Sequence, residues 1–341
     1  MSDRSDKGVK MIRINEDKIG AIISALSSVT LPPPAEHTPD QFPICDDKLK
    51  LANAYLGIVS ICHQTSPIGE RPLEGMVKGT QAKGWDYLRG KFLLKASEAE
   101  KWSSFKFWQK LTPCILADLF EDETYGRTLN RINERTYLLN NLGNGLSDAS
   151  YDTIQEVFAA KGNRIGSETG FLTYLSAFLA YSDPVRKKSN FFLSLAKSEC
   201  GWTLSDEDNL LSPIDYHELR GHLRIGTVHF DNEDLARKVR YRIPLSENED
   251  TPLREKIQEA NERIVKGMDI SGSTLHYFLW NFFRTCCKRG ETNCKDCGLA
   301  DMESPYRNLF KDRKVCIFHG FCDSTDKYIK PDEPPYIGHF Y

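Results

Sequence analysis

No stretch of the 341-residue chain reaches eighteen consecutive apolar residues, and Met1 to Lys10 carries no apolar core. A membrane span and a secretory signal are therefore both unexpected, and the expected location is the cytoplasm. Positive charge is also lacking: 45 Lys and Arg against 48 Asp and Glu leave a net charge of −3, so any nucleic-acid surface has to be a local patch. Internal repeats and low-complexity tracts are absent, which excludes solenoids and fibres. Without an export signal, the ten cysteines do not read as a disulfide framework. Six of them lie between Cys286 and Cys322, a clustering that points to a bound metal.

Hydrophobic content of 40% with 27% charged residues suits a globular chain of one large core or two modest ones. Leu31-Pro32-Pro33-Pro34 and the prolines up to Pro43 read as a connector, so residues 1–44 are expected to form an N-terminal appendage and the body to start near Cys45. Residues 45–285 show helical periodicity and little strict alternation, with amphipathic stretches at Leu49 to Cys62, Trp102 to Leu119, Tyr151 to Ala160, Thr169 to Ala180, Lys188 to Cys200 and Tyr216 to Gly226. The expected fold class is mostly α. Asn140-Asn141-Leu142-Gly143-Asn144-Gly145 reads as the joint where two lobes divide. Residues 286–325 form a cysteine loop and 326–341 an extended tail.

Ser212-Pro213-Ile214-Asp215-Tyr216-His217-Glu218-Leu219-Arg220 starts a helix. Asp215 can accept from first-turn amides while Glu218 reaches back, and this capping box alone would account for the Asp. Asp183-Pro184-Val185-Arg186-Lys187-Lys188-Ser189-Asn190-Phe191-Phe192 leads from a turn into a helix with lysines at its head. Cations are electrostatically misplaced there, which makes a phosphate neighbour one reading and a solvated basic run the other.

Together these segments resemble the hairpin and catalytic helix of helix-hairpin-helix DNA glycosylases, and in particular the archaeal-type 8-oxoguanine glycosylases. Lys188-Ser189 with Phe192, then Pro213-Ile214-Asp215-Tyr216, carry the likeness. The resemblance implies a two-lobed helix-hairpin-helix glycosylase fold with the hairpin near 178–200, Asp215 facing the sugar of an extruded nucleotide, and Lys188 as the amine nucleophile of a bifunctional enzyme with AP lyase activity. The adjoining Lys187 leaves the register open by one residue. Ile58 to Thr65 resembles the family's early helix end, with Gln64 filling the gap left by the base or contacting that base, and Lys83-Gly84-Trp85-Asp86 resembles the segment after it, with Trp85 lining the base pocket. A buried polar turn and a core Trp are the structural alternatives. His217, Arg220 and Lys187 are further expected contacts to DNA.

Cys287-x6-Cys294-x2-Cys297, following Trp280 to Cys286, resembles the opening of the [4Fe–4S] loop of the endonuclease III branch. The fourth ligand position there is held here by Glu303, and Cys316-x5-Cys322 follows later, as an insertion in the loop would produce. The implied ligands are Cys287, Cys294 and Cys322 with Cys297, Cys316 or both. Zinc suits the same donors. The loop would present Arg289 and Arg313 to phosphates.

The expected partner is duplex DNA bearing a damaged or modified base, bound by a monomer. The base would be 8-oxoguanine-like or a bulky modified base of phage DNA, the latter implying defence rather than repair. Two alternatives remain: a queuosine-nucleotide glycosylase, which also places an Asp near the sugar, and a non-enzymatic metal-stapled nucleic-acid-binding module.

Overall fold

The computed structural model describes residues 12–34, 47–290, 292–325, 327, 330–335 and 338–340. In chain order it runs β1 (Ile12–Ile14), α1 (Glu16–Leu26), α2 (Lys48–Ser60), β2 (Glu74–Val77), β3 (Thr80–Lys83), α3 (Trp85–Glu98), α4 (Phe105–Trp108), α5 (Pro113–Leu119), β4 (Glu121–Asp122) and β5 (Gly126–Arg127). There follow α6 (Ile132–Asp148), α7 (Ile154–Ala160), α8 (Phe171–Leu175), α9 (Lys187–Cys200), α10 (Tyr216–Ile225), β6 (Val228–Phe230), α11 (Glu233–Arg240), α12 (Glu247–Met268), α13 (Gly272–Thr285) and α14 (Tyr306–Leu309). The fold is mostly α, and among the described residues the strands form three two-stranded antiparallel ribbons. No described helix is long and apolar enough to cross a membrane.

Local chemistry accounts for several helix starts. Asp47, Thr112, Thr153, Asn232 and Ser271 each accept a first-turn amide at the head of a helix. The stretch from Trp102 to Leu119 is broken, because Pro113 has no N–H to continue a helix and instead opens a new one after Thr112.

Two compact units result, Met1–His37 with Leu211–Ile337, and Thr38–Leu210 with Gly338–Tyr341. The expected appendage is therefore part of the first unit: β1 pairs with β6, and Ile19, Ile22 and Leu26 of α1 join a core with Ile264 of α12, Leu275, Phe278 and Phe282 of α13, and Tyr306. The expected starting point at Cys45 lies outside the described residues.

The chain divides at 210/211 and not at the Asn/Gly cluster, which runs unbroken through α6. Its polar residues serve packing. Asn140 Nδ2 donates to the carbonyls of Trp108 (2.6 Å) and Leu111 (3.0 Å), satisfying the end of α4. A Cβ at Gly143 would lie 2.5 Å from the Gln109 nitrogen and 2.8 Å from the Phe105 carbonyl, so only glycine permits this approach. Gly143→Ala should therefore destabilise the protein by about 1–3 kcal/mol despite alanine's higher helix propensity. Urea denaturation tests this, and a more stable variant would refute it.

Candidate functional site

In the second unit, the first turn of α9 faces the C-terminal end of α2. Its anion is built in: the buried Asp183 carboxylate accepts from Val185 N (3.2 Å) and Lys187 N (3.0 Å), so the helix head needs no external phosphate. The lysines turn elsewhere. Lys188 is fully buried, and its Nζ donates to Ser60 O (2.6 Å), the last residue of α2, where the helix dipole favours a donor. It also lies 3.4 Å from His63 Nδ1. Burial pushes the amine down to about 7, reinforced by Lys187 and Arg135 and opposed by Cys62 and Asp183. Lys187 is 7% exposed, donates to Cys62 Sγ (3.6 Å) and sits 5.7 Å over the Phe191 ring.

The loop after α2 is held from behind by Arg135 of α6. Its buried guanidinium donates to Ile61 O, His63 O (2.8 Å) and Asn130 O (2.9 Å). Gln64 adopts a left-handed backbone (φ 46°) in this turn and is half-buried. Trp85 opens α3 after Gly84, whose φ of 57° needs glycine, and its ring meets Phe191 edge-on at 4.8 Å. Gln64, Trp85, Lys187 and Lys188 thus share the second unit. Sequence reading overlooked His63, Glu134, Arg135 and His339. Of these, only His63 had a signal, its place next to Gln64. His339 comes from the C-terminal tail, where it contacts Leu179 O (2.8 Å) with its ring 6.4 Å from that of His63.

In the first unit Asp215 is the N-cap of α10, 6% exposed, with Oδ1 accepting from Glu218 N (3.0 Å). Glu218 is drawn inward: its carboxylate meets His276 Nδ1 of α13 and accepts from Asn261 Nδ2 of α12 (2.7 Å). Asn261 also donates to Ser212 Oγ (3.1 Å), and Gln258 to Ser212 O (3.2 Å). Both flanks of Asp215 are therefore clamped to α12.

Arg220 does not present a DNA-binding face. It is 1% exposed and donates to Cys287 O (2.9 Å), Phe283 O (3.0 Å) and Glu333 (2.8 Å), and its Nη2 lies 2.8 Å from His217 Nδ1. Such a guanidinium is structural, because each of its donors is spent on a buried carbonyl, on His217 or on Glu333, a carboxylate it shares with Arg289. Residues 331–335 are correspondingly a packed strap, with Arg224 on Asp332 and Arg289 on Glu333. His217 is half-buried against Tyr216, and Arg289 lies 5.7 Å from the Tyr216 ring centre. Arg313 is exposed.

Cys286, Cys287, Cys294, Cys297, Cys316 and Cys322 all line one cavity with about 400 Å³ of empty space counted out to its mouth. Arg224 Nη1 donates to Cys287 Sγ (3.2 Å) and Lys330 Nζ to Cys294 Sγ (3.3 Å). As the thiols stand, no group of three or more His, Cys, Asp or Glu side chains among the described residues is arranged to hold a metal ion. The donor set nevertheless suits one. The hydrogen bond with Cys286 pushes Cys297 up to about 12, burial pushes Cys322 up to about 11, and Cys316 is raised through Cys297. Shifts in this direction favour the protonated thiols, so a metal would have to displace those protons on binding.

Compared with known proteins, the chain matches no family model and gives no significant match to a curated protein.

Proposed function

We propose that this protein is a DNA glycosylase of the helix-hairpin-helix kind, with Lys188 as amine nucleophile and Asp215 as the carboxylate that stabilises the sugar. The observation that carries this reading is the Lys188 amine, fully buried at the head of α9 between Ser60 O and His63 Nδ1, where burial pushes it down to about 7. A lysine in that state is a nucleophile under physiological conditions, whereas an ordinary surface lysine is not. The resemblance of Pro213 to Tyr216 supplies the role of Asp215, and the N-cap geometry is compatible with it.

The reaction requires the base to leave the duplex stack, with Gln64 filling the gap and Trp85 against the base. As the C1′–N bond breaks, its electrons go to the departing base, and the Asp215 carboxylate balances the positive charge on the sugar. The neutral Lys188 amine adds at C1′ and loses a proton, and the C1′–O4′ bond opens with O4′ taking a proton. The Schiff base so formed loses a C2′ proton and expels the 3′ phosphate before water hydrolyses the imine and frees the lysine. The substrate is an oxidised purine or a bulky modified base.

Cys287, Cys294 and Cys322, with Cys297 or Cys316, would hold a [4Fe–4S] cluster, which supplies structural cross-linking of the loop and no redox step. The Arg224 and Lys330 contacts to sulfur fit an anionic centre of that kind. Zinc is the alternative occupant.

Mass spectrometry of bases released from duplexes carrying defined lesions tests the function, on protein whose iron, sulfide and zinc have been measured. Release of one modified base, by protein with about four irons per chain, is the expected result. No release from any modified duplex would sink the glycosylase reading, and zinc without iron would replace the cluster.

A further inference from the structure

The hydrogen-bond count at the Lys188 amine is unusual for a lysine. An ammonium has three N–H donors and a neutral amine two donors and one lone pair. Around Nζ the described residues offer two acceptors, Ser60 O at 2.6 Å and His63 Nδ1 at 3.4 Å. A third hydrogen would be buried without a partner there, whereas a neutral amine is satisfied and keeps its lone pair for reaction.

His63 can accept only if Nδ1 is bare, and its surroundings require that. The ring is buried and faces the guanidiniums of Arg135 and Arg131, with His339 on one side; burial first, and these charges second, hold it well below the usual imidazole range and keep it neutral even with Lys188 uncharged. A neutral imidazole carries one hydrogen. Its Nε2 lies 2.8 Å from Glu134 Oε1, a carboxylate oxygen that can only accept, so the hydrogen belongs on Nε2. The contact is one of charge and proximity, since neither atom meets hydrogen-bond geometry as placed, and a bare Nε2 lone pair facing that carboxylate would be repelled. Glu134 is itself held by Arg131 Nη2 (2.5 Å), whose Nη1 binds the Gly338 carbonyl (2.9 Å).

We infer that His63 is the positioning residue of the Lys188 amine, with Glu134 fixing its Nε2–H tautomer so that Nδ1 takes one amine hydrogen and leaves the lone pair free. The inference deepens the reading of Lys188 as nucleophile and rests on it. The other charged or titratable groups around the amine are Cys62, Asp183, Lys187, Arg135 and His339; Asp183 accepts from the Lys187 amide, Lys187 turns to Cys62, and Arg135 holds the loop carbonyls. Ser60 O and His63 Nδ1 therefore set its orientation.

The test has two arms on the full-length protein. Nitrogen-15 NMR of histidine- and lysine-labelled protein, with His63→Asn and Lys188→Arg identifying the resonances, reads the tautomer and the amine charge without DNA. The expected result is a bare Nδ1 from pH 6 to 9. A protonated Nδ1 or an imidazolium would overturn the inference.

The second arm is borohydride trapping on abasic-site DNA. His63→Phe, which removes the acceptor, should lower the trapping rate about tenfold, and His63→Asn, whose Oδ1 stands near the position of Nδ1, should restore most of it. Equal losses in both variants, tracking their melting temperatures, would make His63 merely structural. Should His63→Phe fail to fold, the Asn variant and the tautomer decide. Wild type that traps no DNA, yet shows the bare Nδ1 and a neutral amine near pH 8, would sink the glycosylase reading and leave the His63 assignment standing.

Discussion

Asp215→Asn is expected to lower base release by about a hundredfold to a thousandfold while the protein stays folded. Asparagine is nearly isosteric and caps helices as well as aspartate does, so the bond from Glu218 N is retained. The clamp of Ser212 and Glu218 onto α12 does not involve the carboxylate. What the variant loses is the negative charge, and that charge matters only when the sugar becomes positive. Single-turnover base release beside a melting curve separates the two roles. A variant that unfolds, and whose folded fraction keeps full activity, would show Asp215 to be a helix cap alone.

Lys188→Met is expected to abolish borohydride trapping and to change the pH dependence of stability. Burial lowers the folded-state value of Lys188 from 10.5 to about 7. Between those values the unfolded chain binds the extra proton and the folded chain does not, so folding improves as pH rises through that window. Below about pH 7 the full cost of the depressed value is present, and above about 10.5 it has gone. Wild type should therefore gain on the Met variant by about 1.4 kcal/mol per pH unit within the window. Urea denaturation from pH 6 to 10 measures this. Parallel curves would mean that the amine is charged in the folded state and that Lys188 is no nucleophile. Catalysis in wild type should rise with pH through about 7 for the same reason, and Lys187→Gln, which leaves the Lys188 contacts in place, should still be trapped.

The hairpin lysines show where local reading reaches its limit. Two cations at a helix head suggested a missing phosphate, because sequence distance links them to the dipole of their own helix. In the folded chain Asp183 already meets that dipole, and Lys188 answers the opposite dipole of α2. Arg220 failed as a DNA contact in a similar way. Its charge is visible in the sequence, but Glu333, 113 residues later, is what consumes it. The Asn/Gly cluster of α6 looked like a turn because glycine and asparagine break helices in isolation. Here the close approach of Gln109 and the carbonyls beside Asn140 repay that weakness.

The sequence by itself determined the mostly helical fold, the helix start marked by Asp215, and the cysteine cluster after α13, since capping and periodicity act within a few residues. Tertiary structure alone decided that residues 12–34 join the unit of α10 to α13, that Lys188 rather than Lys187 lies between Ser60 and His63, and that residues 331–335 close over Arg220 and Arg224. The reason is the range of the forces involved. A helix cap is satisfied three residues away, whereas the desolvation that lowers an amine's affinity for protons, or the ion pair that buries a guanidinium, depends on groups that only the packed chain brings together.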